Sequence, residues 1–403
     1  MGKSNIFVGH PVFGQIISLI PASLVSGAAS KLQSDRYYKA FKTYDHLVTM
    51  LYAAMSGANT LRSVALGLLA ADTKLHHIGL AKAPPRSTIS DGNKGRPSKV
   101  FEEVHRRLYE YYKPLFSDSR LADDILGRLK LVDSTTISLF KDILKAVGRT
   151  PADGRRKGGI KAHVTLDTTT GLPRLVIFSA SASSDNPHLD KAGLVRGDIA
   201  VFDMGYCNYG RFMRMGEDGI SFVTRQKDGS LYTVLAELPV SEFCGEMIAS
   251  DQVIEVVDPK SKKSYKLRRI VRKADDKNQE LVFWTNIMTL NPDTIAKIYK
   301  HRWTIELLFR SLKQNFPLKY FLGDNQNAIE IQIWCCLISH LMYRVLLKQT
   351  KAQWAFSNLC DLIRQHLFTY IAIIPFLDNP EKALSDRAEA RNKGPDPNQI
   401  SLF

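Results

Sequence analysis

Two short apolar runs in this chain each stop on a carboxylate: Leu129-Lys130-Leu131-Val132-Asp133 and Ile199-Ala200-Val201-Phe202-Asp203. Runs of this length read as buried strands, and an acid at the end of each places a charge where the strand leaves the core. Around them the pattern alternates. His163–Leu166 and Pro173–Phe178 read as two further strands joined by the turn Asp167-Thr168-Thr169-Thr170-Gly171, and Ile220–Thr224 as another. Pro187 to Val195 reads as a helix. Strand-like runs such as Gln252–Val257 continue through residues 228–285 and end at Leu281–Thr285. The class that follows is α/β.

The flanks are helical. Residues 1–125 carry helix-period segments, among them His46–Leu51 and Thr60–Leu66, broken at Ser56-Gly57. Pro84–Thr88 reads as a linker. Lys99 to Lys113 returns to helical periodicity, with Pro114 predicted to end it. Pro292 opens a long helix predicted to run to about Phe316, and helices continue through Ala328–Lys348 and Trp354–Tyr370. Asp378 to Phe403 is rich in Pro, Asn, Lys and Asp and reads as a disordered tail.

Charge narrows the choice of partner. The 403 residues hold 55 Lys+Arg against 40 Asp+Glu, a formal net charge of +15. A balance of that size favours a polyanion, since phosphate contacts release counterions. Five cysteines without a C-x-x-C pair argue against a zinc site or a disulfide framework and for a reducing cytosol. Cys335 and Cys336 lie in an apolar run and read as small buried hydrophobes. No segment reaches the roughly 18 apolar residues of a membrane span. The best stretch, Trp334 to Leu347, carries His340 and Arg344. The N-terminal run is interrupted by His10, Pro11, Gln15 and Pro21 and reads poorly as a signal peptide. A bacterial cytoplasm, at the nucleoid, is the expected location.

On a helix, Tyr299, Arg302, Glu306 and Lys313 share a stripe about 60° wide. Ile298, Ile305, Phe309, Leu312 and Phe316 form the apolar stripe beside it. A solvated face with i,i+4 ion pairs is the plain explanation. The cationic excess and the two acid-ended strands upstream weaken it. The spacing Tyr299-x2-Arg302-x3-Glu306-x6-Lys313 resembles the Y-R-E-K signature of insertion-sequence 4 type transposases, in every position and gap. Val132-Asp133-Ser134-Thr135-Thr136 and Phe202-Asp203-Met204-Gly205-Tyr206 are similar to the contexts of that family's first two acids. Phe13–Ile17 and Arg86–Ser90 extend the resemblance, which spans most of residues 6–345.

The resemblance implies an RNase H-like core with a β-rich insertion at about 228–285, flanked by a helical N-terminal domain and helical C-terminal segments. The boundaries read from the sequence are 1–125, 126–345 and 346–403. It implies a DDE triad of Asp133, Asp203 and Glu306, with Tyr299, Arg302 and Lys313 holding DNA phosphates. Phosphodiester cleavage needs an activated oxygen in line with a stabilised leaving oxygen, and two divalent ions roughly 4 Å apart serve both. Carboxylates suit hard cations, so two Mg²⁺ ions are expected, with Mn²⁺ able to substitute. Asp133 would bridge both, with Asp203 on one and Glu306 on the other.

Other acids have cheaper explanations. Asp167 belongs to a Thr-rich turn, Asp198 to a loop, and Asp185 and Asp190 to the capping of a helix. Arg155, Arg156, Lys157 and Lys161 form a basic patch that is either a solvated loop or a DNA-backbone contact. Trp284 reads as core. Trp303 lies near the stripe and either packs or touches DNA. The C-terminal Gln399-Ile400-Ser401-Leu402-Phe403 resembles the peptide by which bacterial proteins dock on the sliding clamp, and equally an accidental apolar terminus. The function implied is metal-dependent cleavage and strand transfer of insertion-sequence ends, carried out by a homodimer on double-stranded DNA. The alternatives are an inactive or domesticated relative that binds ends as a repressor, and an RNase H-like nuclease without strand transfer. The intact triad disfavours the first and the β insertion the second.

Overall fold

The computed structural model describes residues 9–116, 124–138, 159–240, 247–273 and 280–385. Arg155, Arg156, Lys157 and the peptide Gln399–Phe403 lie outside them. The chain divides into two compact units, one made of residues 1–115 with 311–403, the other of residues 116–310.

The second unit is built on one nine-stranded sheet. Its strands are β1 (Leu129–Ser138), β2 (Gly159–Asp167), β3 (Leu172–Ala180), β4 (Ile199–Phe202), β5 (Ser221–Arg225), β6 (Thr233–Glu237), β7 (Ile248–Val257), β8 (Ser264–Lys273) and β9 (Glu280–Thr285). They lie in the order 3-2-1-4-5-9-8-7-6. β1, β2 and β3 form an antiparallel meander, while β4 runs parallel to β1 and β5 parallel to β4. This 3-2-1-4-5 half has the order of the RNase H-like core. The antiparallel strands β6 to β9 join it through the β5–β9 pair, so the expected insertion extends the sheet at the β5 edge.

The core follows from the apolar runs. Val132, Ala200, Phe202, Phe222, Ile254, Val256 and Leu267 are buried together with Tyr206, Phe212 and Trp284. The rings of Phe212 and Phe222 stack with centroids 4.5 Å apart, within the range that aromatic pairs prefer. Trp284 is 2% exposed and gives its indole N–H to Gln226 Oε1 at 3.2 Å, as a buried indole requires.

The first unit is helical. It contains Val12–Ile17, Ala22–Leu32, Thr43–Ser56, Leu61–Ala70, Arg86–Gly95 and Lys99–Phe116, and after residue 311 Gln326–Gln349, Phe356–His366 and Ile373–Asp378. Gln326–Gln349 packs against Thr43–Ser56. It is long and apolar enough to cross a membrane by composition, yet 89% of its apolar window is buried inside this unit, which is where a core helix belongs.

Several local expectations change. Arg86–Gly95 is a helix entered from Pro85, so Pro84-Pro85 starts an element rather than filling a linker. The helix Lys99–Phe116 passes through Pro114. Proline there falls in the last turn, where only one backbone bond is forfeited. Asn186–Lys191 is a single 3₁₀ segment in place of a longer helix. Residues 380–385 are helical, where a disordered tail was expected from Asp378. The long helix from Pro292 is two, Pro292–Lys300 and Trp303–Asn315. Between them Arg302 N–H bonds the Tyr299 carbonyl at 3.0 Å and Ile305 N–H the Arg302 carbonyl at 3.1 Å. These three-residue steps tighten the turn.

Candidate active site

Asp133 lies within β1, opposite Val164 of β2. Because β1 and β4 are parallel with Val132 level with Phe202, Asp133 and Asp203 leave neighbouring strands about 4.8 Å apart, on the same face. Asp203 is the first residue past β4 and opens the 3₁₀ turn Met204–Tyr206, its carbonyl accepting the Tyr206 N–H at 3.0 Å. Glu306 sits in the first turn of Trp303–Asn315. The apolar flank of that segment is buried, with Ile298 and Ile305 at 3% and 0% exposure.

Arg302 ties these groups together. Its Nη1 lies 2.6 Å from Glu306 Oε1 and 3.6 Å from Asp133 Oδ2. Its guanidinium stands 5.5 Å over the Tyr299 ring. The tightened turn accounts for this, since residues three apart are eclipsed at three residues per turn. The Tyr299 hydroxyl donates to Asp203 Oδ1 at 3.5 Å. The Tyr299 ring packs 5.1 Å from Phe283 of β9.

The electrostatics match that geometry. Burial raises the Asp133 carboxyl to about 6, and the charges of Asp203 and Glu306 push the same way. The Ser134 backbone N–H, 2.7 Å from Asp133 Oδ1, and the Arg302 guanidinium oppose them. Burial lifts the Tyr299 phenol to about 12, so it remains a proton donor at neutral pH. A buried carboxyl whose proton affinity is raised beside two further acids sits where positive charge is favoured.

Among the described residues no three His, Cys, Asp or Glu side chains stand close enough to hold an ion. A cation does stand between two of the acids, and it is Arg302. The donor set is all carboxylate, the type hard divalent ions prefer. The donor types thus suit such an ion, and the Arg302 guanidinium occupies the space between Glu306 and Asp133.

The remaining sequence candidates are placed as follows. Trp303 is 50% exposed, with the Arg310 guanidinium 5.8 Å from its ring. It borders an open cleft of about 710 Å³ lined also by Lys297, Lys300, His301 and Arg302. Lys313 is exposed in the last turn of its helix and belongs to the helical unit. Lys161 is turned inward, its Nζ 3.0 Å from both Asp185 Oδ1 and the Ser183 carbonyl.

The acids set aside earlier divide. Asp167 accepts from the Thr169 hydroxyl at 2.8 Å and Asp198 from the Val195 N–H at 2.9 Å, which is turn and loop chemistry. Asp190 grips the Arg211 guanidinium at 2.7 and 2.8 Å. Asp185 caps nothing and instead accepts from the Ser134 hydroxyl at 2.8 Å. Sequence reasoning missed it because its partners are remote in the chain, 51 residues away for Ser134.

The comparisons agree with this architecture. A transposase DDE domain model matches residues 126–342, and a domain of unknown function (DUF4372) matches residues 8–81. The chain is 30% identical over 289 residues to a Sinorhizobium fredii protein named as transposase y4zB, covering 71% of this chain and 78% of that one. It is 28% identical over 225 residues to a Geobacillus stearothermophilus protein named as a transposase for insertion sequence element IS5377, covering 56% and 58% respectively. It is 26% identical over 271 residues to a Synechocystis protein named as a transposase for insertion sequence element IS4SA, covering 64% and 71%. A sheet in RNase H-like order, two acids on neighbouring strands and a family match over more than half its length place this chain in the DDE transposase family, among the insertion-sequence 4 type.

Proposed function

We propose that Asp133, Asp203 and Glu306 are the acids with which this transposase cuts and joins the DNA ends of its own element. The observation that carries this is the placement of Asp133 and Asp203 on adjacent parallel strands, with Arg302 linking Glu306 to Asp133. The family normally works with a divalent metal. Two Mg²⁺ ions held by these carboxylates would activate the attacking oxygen and stabilise the leaving one.

The chain's own residues do the rest. Arg302 exchanges Glu306 for a DNA phosphate, since guanidinium recognises phosphate as it does carboxylate. Tyr299, protonated at neutral pH, donates its hydroxyl hydrogen to a phosphate oxygen. Lys313 and Trp303 extend the grip along the strand, and Arg155, Arg156 and Lys157 supply backbone contacts. Residues 1–125 would recognise the terminal repeats, 126–345 carry the chemistry and 346–403 support synapsis. Two ends call for a homodimer on double-stranded DNA at the nucleoid, with the terminal Gln399–Phe403 docking on the sliding clamp. A hairpin on the transposon end is what the family resemblance implies.

The test is Mg²⁺-dependent nicking and joining of duplexes that carry the element's terminal repeats. Asp133→Ala is expected to abolish both products, a loss of about 10³-fold or more, while DNA binding persists. Full activity of Asp133→Ala would refute the assignment, and nicking without joined product would favour a nuclease.

A further inference from the structure

Beside Asp133, at the next residue of β1, lies a polar cluster that none of the roles above uses. Its centre is Asp185, in the segment after β3. Its Oδ1 accepts from the Ser134 hydroxyl at 2.8 Å and from Lys161 Nζ at 3.0 Å. His163 Nδ1 stands 3.7 Å from the same oxygen. Ser134 and His163 are direct cross-strand partners in the β1–β2 pair. His163 Nδ1 also lies 3.5 Å from the Tyr206 hydroxyl, and its Nε2 lies 2.8 Å from Ser179 Oγ. Tyr206 closes the turn that Asp203 opens, and it is 1% exposed.

Charge decides what holds the cluster. Burial, and then the neighbouring His188 stacked 3.7 Å away, keep the His163 imidazole down at about 4. It is therefore neutral at working pH, and the cation facing Asp185 is Lys161, whose side chain is only 13% exposed. A shielded ion pair of this kind is screened less than a surface pair. One end of the cluster is fastened to the residue after Asp133, the other to the turn after Asp203.

We infer that Asp185, paired with Lys161, is a positioning residue for the transposase reaction: through Ser134 and the His163–Tyr206 contact it fixes the stretch of β1 that presents Asp133 and the turn that presents Asp203. This rests on the assignment of those two acids under Proposed function. Partners of ligating carboxylates commonly set how well a site binds its ion and works. Asp185 itself touches no reacting group. Lys161 is the cation paired with Asp185.

The test uses the full chain and five variants, Asp185→Asn, Asp185→Glu, Ser134→Ala, the Asp185→Asn/Ser134→Ala double and Asp133→Ala. Mn²⁺ affinity is read by electron paramagnetic resonance, DNA affinity by anisotropy, and single-turnover nicking on terminal-repeat duplex. Asp185→Asn is expected to weaken Mn²⁺ binding and slow nicking, each by about 10- to 100-fold, with DNA affinity unchanged and a fall in melting temperature too small to account for either loss. The double variant should be no worse than Asp185→Asn alone, because both changes break one link.

Unchanged Mn²⁺ affinity in Asp185→Asn, or a loss confined to DNA affinity, overturns the inference. Complete loss of Mn²⁺ binding equal to that of Asp133→Ala also overturns it, since Asp185 would then be a ligand. A fall in melting temperature that accounts for the whole effect does so too, and the Asp185→Glu variant checks this point by restoring the charge. If Asp133→Ala keeps both Mn²⁺ binding and nicking, the assignment of the acids has failed. If it loses them while Asp185→Asn does not, only the positioning role has failed.

Discussion

At the scale of single residues, Arg302 has the most demanding position. Its side chain is 17% exposed and holds two acids, while its Nε finds no hydrogen-bond partner among the described residues. A buried guanidinium with an unused donor is incompletely satisfied. Without DNA, the same side chain competes with any other cation for Glu306. Arg302→Ala should therefore bind Mn²⁺ more tightly than the parent when DNA is absent, by about tenfold, the size of one pKa unit of charge interaction. The same variant should nick more slowly. A paramagnetic-resonance titration checks the first effect, and weaker Mn²⁺ binding by Arg302→Ala would contradict it. Tyr299, Arg302 and Glu306 were legible in the sequence by their spacing. That Arg302 bonds Glu306 depends on rotamers no spacing reveals.

At the scale of elements, the division of one expected helix into Pro292–Lys300 and Trp303–Asn315 matters most. Neither proline nor glycine interrupts residues 293–315, so no breaker residue marked the division in advance. β2 to β5, β9 and the first half of β1 were legible as compact apolar runs, and the acids beside β4 and within β1 stood out for the same reason, whereas the exposed β6 and the basic β8 carried no such signal. The joining of β5 to β9 was not legible: it pairs residues about sixty apart, such as Val223 with Thr285. Trp284, next to that seam, faces the core from β9, with Tyr232 5.9 Å and Tyr209 6.2 Å from its ring. Trp284→Ala should cost about 3–5 kcal/mol, read as a lower urea midpoint, and it should loosen β9, which carries Phe283 against Tyr299. A loss under about 1 kcal/mol would mean the ring is not a keystone of the seam.

At the scale of the whole molecule, the helical unit buries imidazoles that cannot easily charge. Burial holds His46, His105 and His340 down at about 3, 4 and 3. His46 bonds Asn93 Oδ1 at 2.8 Å and receives Arg96 Nη1 at 2.9 Å, so a second ring proton would displace a cation. Unfolded, each imidazole takes a proton near pH 6.5; folded, it refuses until the pH is far lower. Stability from these groups is thus full above about pH 6.5 and lost as the pH falls toward 4, by about 2 kcal/mol per histidine at pH 5. Thermal melts between pH 7.5 and 4.5 should show that decline. His340→Leu should flatten it, since His340 Nδ1 has no hydrogen-bond partner among the described residues; an unchanged slope would remove His340 from the account.

The sequence alone determined the class of the protein. Apolar runs that must be buried marked where most strands form, the excess of basic residues favoured a polyanionic partner, and the Y-R-E-K spacing with two acid-bearing strands carried the family resemblance. These are local properties, set by each residue's solvation and by the repeat of its own element. Tertiary structure decided that Asp133 and Asp203 lie on adjacent strands, that Arg302 stands between Asp133 and Glu306, and that Asp185 serves Ser134 while Asp167 serves a turn. Those outcomes depend on strand register and on contacts between residues far apart in the chain, which only the assembled sheet specifies.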